Sequence, residues 1–204
     1  EQRYGVKSKV WRSGSEKILQ RGLLEARAKR YEVDVFETNG PELEVLSREK
    51  LLQECKSPHL VDLIPQAIRP HKEWIATRLN IFTCAYNTKL VKAEDAPKNW
   101  TDLLDIKWKG KVSLGHPGFS GYVGTWVLSM KKLYGWQYFD KLEKNKPQIG
   151  RSINDTVTAL VAGERLVAAG ADGSTLFSAG RGNPLANRFQ RKVRQRHADQ
   201  HLVG

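Results

Sequence analysis

Twice in this chain a short apolar run hands over, through a turn rich in Gly, Ser, Asn or Pro, to a segment whose apolar residues recur at helical spacing. In the first case Tyr31, Val33 and Val35 alternate with Glu32 and Asp34 up to Phe36. Glu37-Thr38-Asn39-Gly40-Pro41 then opens a helix carrying Leu43 and Leu46, with proline in its first turn. In the second, residues 112–114 read as a short strand. The glycine-rich stretch His116-Pro-Gly-Phe-Ser-Gly-Tyr-Val-Gly124 follows, then a helical pattern over about residues 124–133. Strands that feed helices directly predict an α/β fold, and the turn between a strand's carboxyl end and a helix's amino end is where open α/β sheets place ligands.

The remaining pattern fits that class. Ser13 and Glu16 match a capping box ahead of an amphipathic helix over about residues 15–29, with Ile18, Leu19, Leu23 and Ala26 on one face. The three prolines between Lys56 and Pro70 predict an irregular crossing segment. Residues 79–86 read as a strand closed by the turn Asn87-Thr88. Residues 97–104 read as a short helix capped by Thr101, and residues 136–142 as another helix. Ser152 or Asn154 caps a helix bearing Val157, Leu160 and Val161, which Gly163 stops, and residues 166–169 form the last buried strand.

Composition narrows the function classes. Hydrophobic residues make up 40% of the 204 and charged residues 27%, a globular balance, and no apolar run is long enough to span a bilayer. Cys55 and Cys84 have no CxxC partner, which leaves no zinc ribbon or dithiol site; both read as small apolar residues rather than a disulfide. The net charge of +12 admits nucleic acid, an anionic membrane surface or an anionic ligand. Six basic residues against one acid from Arg181 to Gly204 place +5 of that charge in the tail. Without interleaved aromatics or a recognition motif, charge alone does not make a nucleic-acid binder, and none is expected as a partner.

Catalytic signatures do not assemble. Gly118-Phe119-Ser120-Gly121 resembles a nucleophile elbow, yet Tyr122 stands where the second glycine is needed. Neither phosphate-loop glycine motif is present, nor is HExxH. A non-enzyme without a cofactor is expected. Metal binding through dispersed side chains leaves no spacing signal and stays open.

Three loops remain suited to a polar solute. In the first, Ser120, Gly121 and Tyr122 precede a helix whose free amides attract negative charge, or Ser120 only caps that helix. In the second, Arg151, Ser152 and Asn154 offer a guanidinium for a carboxylate or phosphate, against the reading of a solvated surface arginine. In the third, Glu37, Thr38 and Asn39 contact ligand or only organise the turn. Asp172, after the last strand, is a further candidate.

Four stretches in combination carry a family resemblance: Glu-Val-Asp-Val-Phe-Glu-Thr-Asn-Gly-Pro-Glu (32–42), Ala-Tyr-Asn-Thr-Lys-Leu-Val (85–91), Asn-Trp-Thr-Asp-Leu-Leu-Asp-Ile-Lys-Trp-Lys-Gly-Lys-Val (99–112) and Val-Ala-Gly-Glu-Arg (161–165). Over residues 4–187 the chain resembles the periplasmic solute-binding proteins of ABC importers, in the branch usually called iron(III)-binding. The resemblance implies a type II two-lobed α/β fold with the solute in the cleft, hinge closure and delivery to an inner-membrane permease. It also implies a periplasmic location after removal of a leader and a monomeric state. By position, residues 1–78 are expected to form a partial first lobe and 79–86 the crossing strand or hinge. Residues 87–170 are expected to form lobe two, 171–187 the start of the return, and 188–204 an atypical basic tail. Relatives carry a strand and helix ahead of the equivalent of Glu1 and an apolar strand after Leu185, so the chain is expected to be incomplete at both ends, with a neighbouring reading frame restoring that strand. Iron-binding relatives place a tyrosine pair where Ala171-Asp172-Gly173-Ser174 stands, which shifts the expected solute from iron(III) or an iron complex towards a small anion. The competing expectations are a two-lobed transferase of the tetrapyrrole deaminase kind, which needs a reactive cysteine at the cleft, and a basic nucleic-acid binder.

Overall fold

A computed structural model describes residues 4–188, and they form a mixed α/β structure around one five-stranded sheet. The elements in order are α1 (Ser15–Arg27), α2 (Gly40–Arg48), β1 (Phe82–Asn87), β2 (Val112–Gly115), α3 (Gly121–Tyr134), α4 (Gln137–Glu143), β3 (Gln148–Gly150), α5 (Ile153–Val161), β4 (Val167–Ala171), α6 (Asp172–Gly180) and β5 (Leu185–Arg188). Short 3-10 turns at Pro58–Asp62, Pro65–Ala67, Trp100–Leu104 and Ile106–Trp108 fill the connections.

Strand order is β3-β2-β4-β1-β5. β2 runs parallel to both β3 and β4, whereas β1 runs antiparallel to β4 and β5. The period of two sorts the side chains. Cys84 and Tyr86 of β1, with Val167 and Ala169 of β4, enter the larger core beside Trp100, Leu103, Trp126, Met130 and Tyr138. Ala85 and Ala168 face the smaller core with Leu160 and Leu185. Two buried amides hold this unit together. Asn87 donates from Nδ2 to the Leu160 carbonyl at 2.8 Å, and Asn145 donates to the carbonyls of Leu103 and Asp105. Gly135 ends α3 at φ 73°, a left-handed region that a side chain would oppose.

The amino-terminal part is built differently. α1 and α2 pack on each other, and Gly22 lets them do so: a Cβ there would lie 2.9 Å from the Phe36 ring. The strand expected over residues 31–36 does not form. Its residues alternate as a strand would, but none of the described strands lies beside it, and Tyr31 and Val35 are 76% and 81% exposed. A strand exists through its ladder, and alternation alone does not supply one.

Several local expectations need correcting. α1 begins after Gly14, with no side-chain cap in place of the Ser13–Glu16 box, and ends at Arg27. The expected helix at 97–104 is a 3-10 turn capped by Asn99 rather than Thr101, because Asn99 and Asp102 exchange a reciprocal capping box. The strand placed at 79–86 is β1 and begins only at Phe82. Three elements carried too short or too polar a pattern to be recognised: β3, α6 and β5. Neither cysteine is in a disulfide, and Cys84 is fully buried, in keeping with its apolar reading. The expectations for the tail beyond Arg188 lie outside the described residues.

Candidate functional site

The parallel strands β2, β3 and β4 all end at the same edge of the sheet, and each passes directly into a helix: β2 into α3, β3 into α5, β4 into α6. Gly115, the last residue of β2, brings two of these starts together. A Cβ on it would lie 2.7 Å from Val123 Cγ2 in α3 and 3.6 Å from the Ile153 nitrogen in α5. Because β1 is antiparallel, its first residues come to this edge as well. The Asp172 amide donates to the Ile81 carbonyl at 3.0 Å, and Asp172 Oδ1 accepts from the Ile81 amide at 3.1 Å. Three strand-to-helix junctions therefore share one edge, the position where α/β sheets hold ligands.

Seven of the ten residues singled out in the sequence sit on these junctions. Ser120 is the N-cap of α3, its Oγ accepting from the Val123 amide at 3.4 Å. The Tyr122 ring packs against Phe82 of β1, centroids 4.5 Å apart. Burial, with the Asp172 charge as the lesser cause, raises its phenol above the usual tyrosine range. Ser152 caps α5 in a reciprocal box with Asp155, so this helix start already carries a carboxylate. Arg151 is exposed, its guanidinium over the Phe119 ring at 5.1 Å, with no carboxylate in salt-bridge reach among the described residues. Asn154 Oδ1 accepts from Ser174 Oγ at 3.2 Å, which ties α5 to α6.

The other three residues lie across from this edge, at the start of α2. Glu37 is exposed and ion-paired with Arg78 at 2.8 Å, which uses it on the surface. Asn39 occupies the N-cap of α2 without a side-chain capping bond, and Thr38 Oγ1 is buried without a partner. Glu37, Thr38, Asn39 and Tyr122 line one open cavity of about 2030 Å³. Its size exceeds what a small solute fills because it also runs under the uncovered segment at Val33 and Val35. Ser120, Gly121, Arg151, Ser152, Asn154 and Asp172 are not among the residues lining that cavity.

Sequence reasoning missed the residue that joins the two sides. Glu42, in the first turn of α2, is 6% exposed, and its Oε1 accepts from the Gly121 amide at 3.1 Å, as Ser15 Oγ does at 3.2 Å. One carboxylate thus serves the amino ends of two helices, its own and α3. Glycine at 121 is required by that approach, since a Cβ would fall 2.2 Å from Glu42 Oε1. Trp74, over Gly40 with its Nε1 buried and unpartnered, was missed too. A glutamate just inside a proline-led helix start reads as a routine helix-favouring acid, so no local signal separates it.

Residues 39–176 match the model of the family described as bacterial extracellular solute-binding protein. A putative 2-aminoethylphosphonate-binding periplasmic protein of Salmonella typhimurium is 33% identical over 147 residues, 68% of this chain and 41% of that protein. Among solved structures, AfuA of Actinobacillus pleuropneumoniae, a periplasmic binding protein with fructose-6-phosphate bound, aligns with a TM-score of 0.78 and 25% identity over 91% of this chain. Iron-bound HitA of Pseudomonas aeruginosa aligns with a TM-score of 0.77 and 20% identity over 92% of it. The chain spans 61% and 62% of those two proteins, respectively. No helix among the described residues is long and apolar enough to cross a membrane. The α/β architecture is that of the periplasmic binding proteins, and this chain belongs to the bacterial extracellular solute-binding protein family.

Proposed function

We propose that this protein is the solute-capturing component of an ABC importer, holding a small phosphonate- or phosphate-bearing solute between the start of α2 and the sheet edge and delivering it to a permease. The observation that carries this reading is the convergence of three strand-to-helix junctions on one edge, faced by the amino end of α2 across the Glu42–Gly121 contact. Arg151 supplies an exposed cation at that edge, of the kind that holds a phosphonate or phosphate through paired hydrogen bonds. The relative's name, 2-aminoethylphosphonate-binding, and the fructose-6-phosphate in AfuA point to the same ligand chemistry. An iron(III) cargo has less support: Asp172-Gly173 stands at the β4–α6 junction, where the iron-binding relatives place tyrosines. In this reading residues 1–78 belong to one lobe, 79–86 to the crossing and 87–170 to the other, with hinge closure on the solute and a monomeric, periplasmic protein.

A thermal-shift screen of the 204-residue chain against alkylphosphonates, aminoalkylphosphonates, sugar phosphates and iron(III) citrate tests the reading. A solute at 100 times its dissociation constant adds about 2.7 kcal/mol of stability. A rise with a phosphonate or sugar phosphate supports capture of an anionic solute. A rise with iron(III) citrate alone replaces the anion by iron, and no rise with any probe overturns the capture reading.

A further inference from the structure

Two loops meet at the end of the sheet away from the junctions. Residues 107–111 lead into β2 and residues 144–146 into β3, so both lie where these parallel strands begin, whereas the junctions lie where they end. The Gly110 amide donates to the Asn145 carbonyl at 2.7 Å. Asn145, 1% exposed, donates in turn from Nδ2 to the carbonyls of Leu103 and Asp105 at 2.8 and 2.9 Å. Lys109 and Lys111 flank Gly110, and Lys144 and Lys146 flank Asn145, so one backbone hydrogen bond gathers four lysines. Lys107, two residues from Asp105, makes a fifth. All five are exposed, and no carboxylate comes within salt-bridge reach of any of them among the described residues. The acids of the same two segments are Asp105, whose Oδ1 accepts from the Lys107 amide at 3.0 Å, and the exposed Glu143. Five ammonium groups against two carboxylates leave a positive surface whose self-repulsion does nothing for the fold.

The residue types indicate the partner. Lysine carries a compact, strongly hydrated charge on a flexible stem, which suits a diffuse array of anions; a single carboxylate or phosphate is better held by the planar fork of an arginine. Ile106, next to Lys107, is 67% exposed, and Lys107 Nζ lies over the ring of the buried Trp108 at 5.0 Å. An apolar side chain set among basic ones is the pattern of a segment that rests on an anionic bilayer, with the apolar group in the headgroup boundary and the ammonium groups at the phosphates. A soluble polyanion offers nothing to Ile106.

We propose that this lysine surface is a contact for anionic phospholipid headgroups, on which the protein rests while the opposite edge, with its three junctions, stays free. The contact does not depend on which solute that edge holds. Co-sedimentation of the 204-residue chain with vesicles tests it. Binding to mixed phosphatidylglycerol and phosphatidylcholine vesicles is expected, falling with added salt, and none to phosphatidylcholine alone. Lys107→Gln, Lys109→Gln, Lys144→Gln and Lys146→Gln together are expected to weaken it by about 5-fold per lysine, the worth of one basic side chain near an anionic surface. A variant of the tail that removes the same charge, Arg191→Gln, Lys192→Gln, Arg194→Gln and Arg196→Gln together, is expected to keep most of the binding. Ile106→Ser is expected to weaken vesicle binding severalfold and to leave retention on heparin unchanged. The substituted lysines and Ile106 are exposed, and circular dichroism checks that each variant folds. No binding to the anionic vesicles, equal binding to both kinds, or a tail variant that loses as much as the lysine variant overturns the inference. Vesicle binding untouched by Ile106→Ser, with heparin retention lost in the lysine variant, overturns it too and replaces the membrane by a soluble polyanion.

Discussion

Residues 31–36 and β1 are six residues each, and both fall in stretches that read as strands in the sequence, the first by alternation of apolar and acidic residues and the second by the apolar run Cys84-Ala85-Tyr86. β1 became the second innermost strand of the sheet, laddered to β4 on one side and β5 on the other, with five of its six residues buried. The segment at 31–36 has no ladder among the described residues and leaves Val35 81% exposed. The difference teaches that strand propensity is a statement about fit to a half-buried surface, realised only where a neighbouring strand supplies a ladder. It also divides the molecule energetically. Around β1 lie stacked and edge-on aromatic rings, Phe82 and Trp126 with centroids 5.5 Å apart and Trp126 and Tyr138 at 6.5 Å. Around 31–36 the Phe36 ring packs over Gly22.

The comparison breaks most readily under core truncation. Leu103→Ala, at a fully buried position beside β1, is expected to cost about 2–5 kcal/mol in urea unfolding, whereas Val35→Ala stays within about 0.5 kcal/mol. Equal costs would mean that residues 31–36 are packed after all. Between the two regions, Gly121→Ala forces a methyl against the Glu42 carboxylate and is expected to cost about 1–3 kcal/mol. Adding Glu42→Ala on that background should recover part of the loss by removing the clash. Ser152→Ala removes the cap of α5 and is expected to cost about 1 kcal/mol, with the effect confined to the sheet side.

The smallest effect is a pH slope. The Tyr122 phenol is raised by burial first and by the Asp172 charge second, so the folded protein keeps it protonated where the unfolded chain, at about 10, does not. Its contribution is complete below pH ~10 and is lost as pH rises from there towards the folded value. Tyr122→Phe is expected to make the alkaline loss of stability shallower. Tyr138, raised in the same sense by burial, retains part of the slope, and an unchanged slope would place the Tyr122 hydroxyl in water.

Much of the site's lower edge was legible because strand-to-helix junctions write themselves locally. Ser120 and Ser152 as caps, the glycines of 115–124 and Asp172 after β4 all follow from short-range patterns that backbone hydrogen bonding imposes. Glu42 and Trp74 were not legible. Glu42 earns its position from Gly121, seventy-nine residues away, and Trp74 from Gly40, thirty-four residues back, in a segment that reads as irregular. The capping errors have a similar origin: at Asn99 and Thr101 two hydroxyl- or amide-bearing residues compete, and only the reciprocal bond with Asp102 decides between them.

By itself the amino-acid sequence determined the α/β class, the order of most elements, the glycine-bearing turns that open helices and the family to which the chain belongs, because each is carried by local spacing or contiguous motif. Only the tertiary structure decided that β1 is laddered on both sides while 31–36 is bare, that three junctions share one edge, and that a glutamate on α2 holds the first amide of α3. Those outcomes depend on which distant segments meet, and a buried hydrogen bond or a strand ladder has no existence until they do.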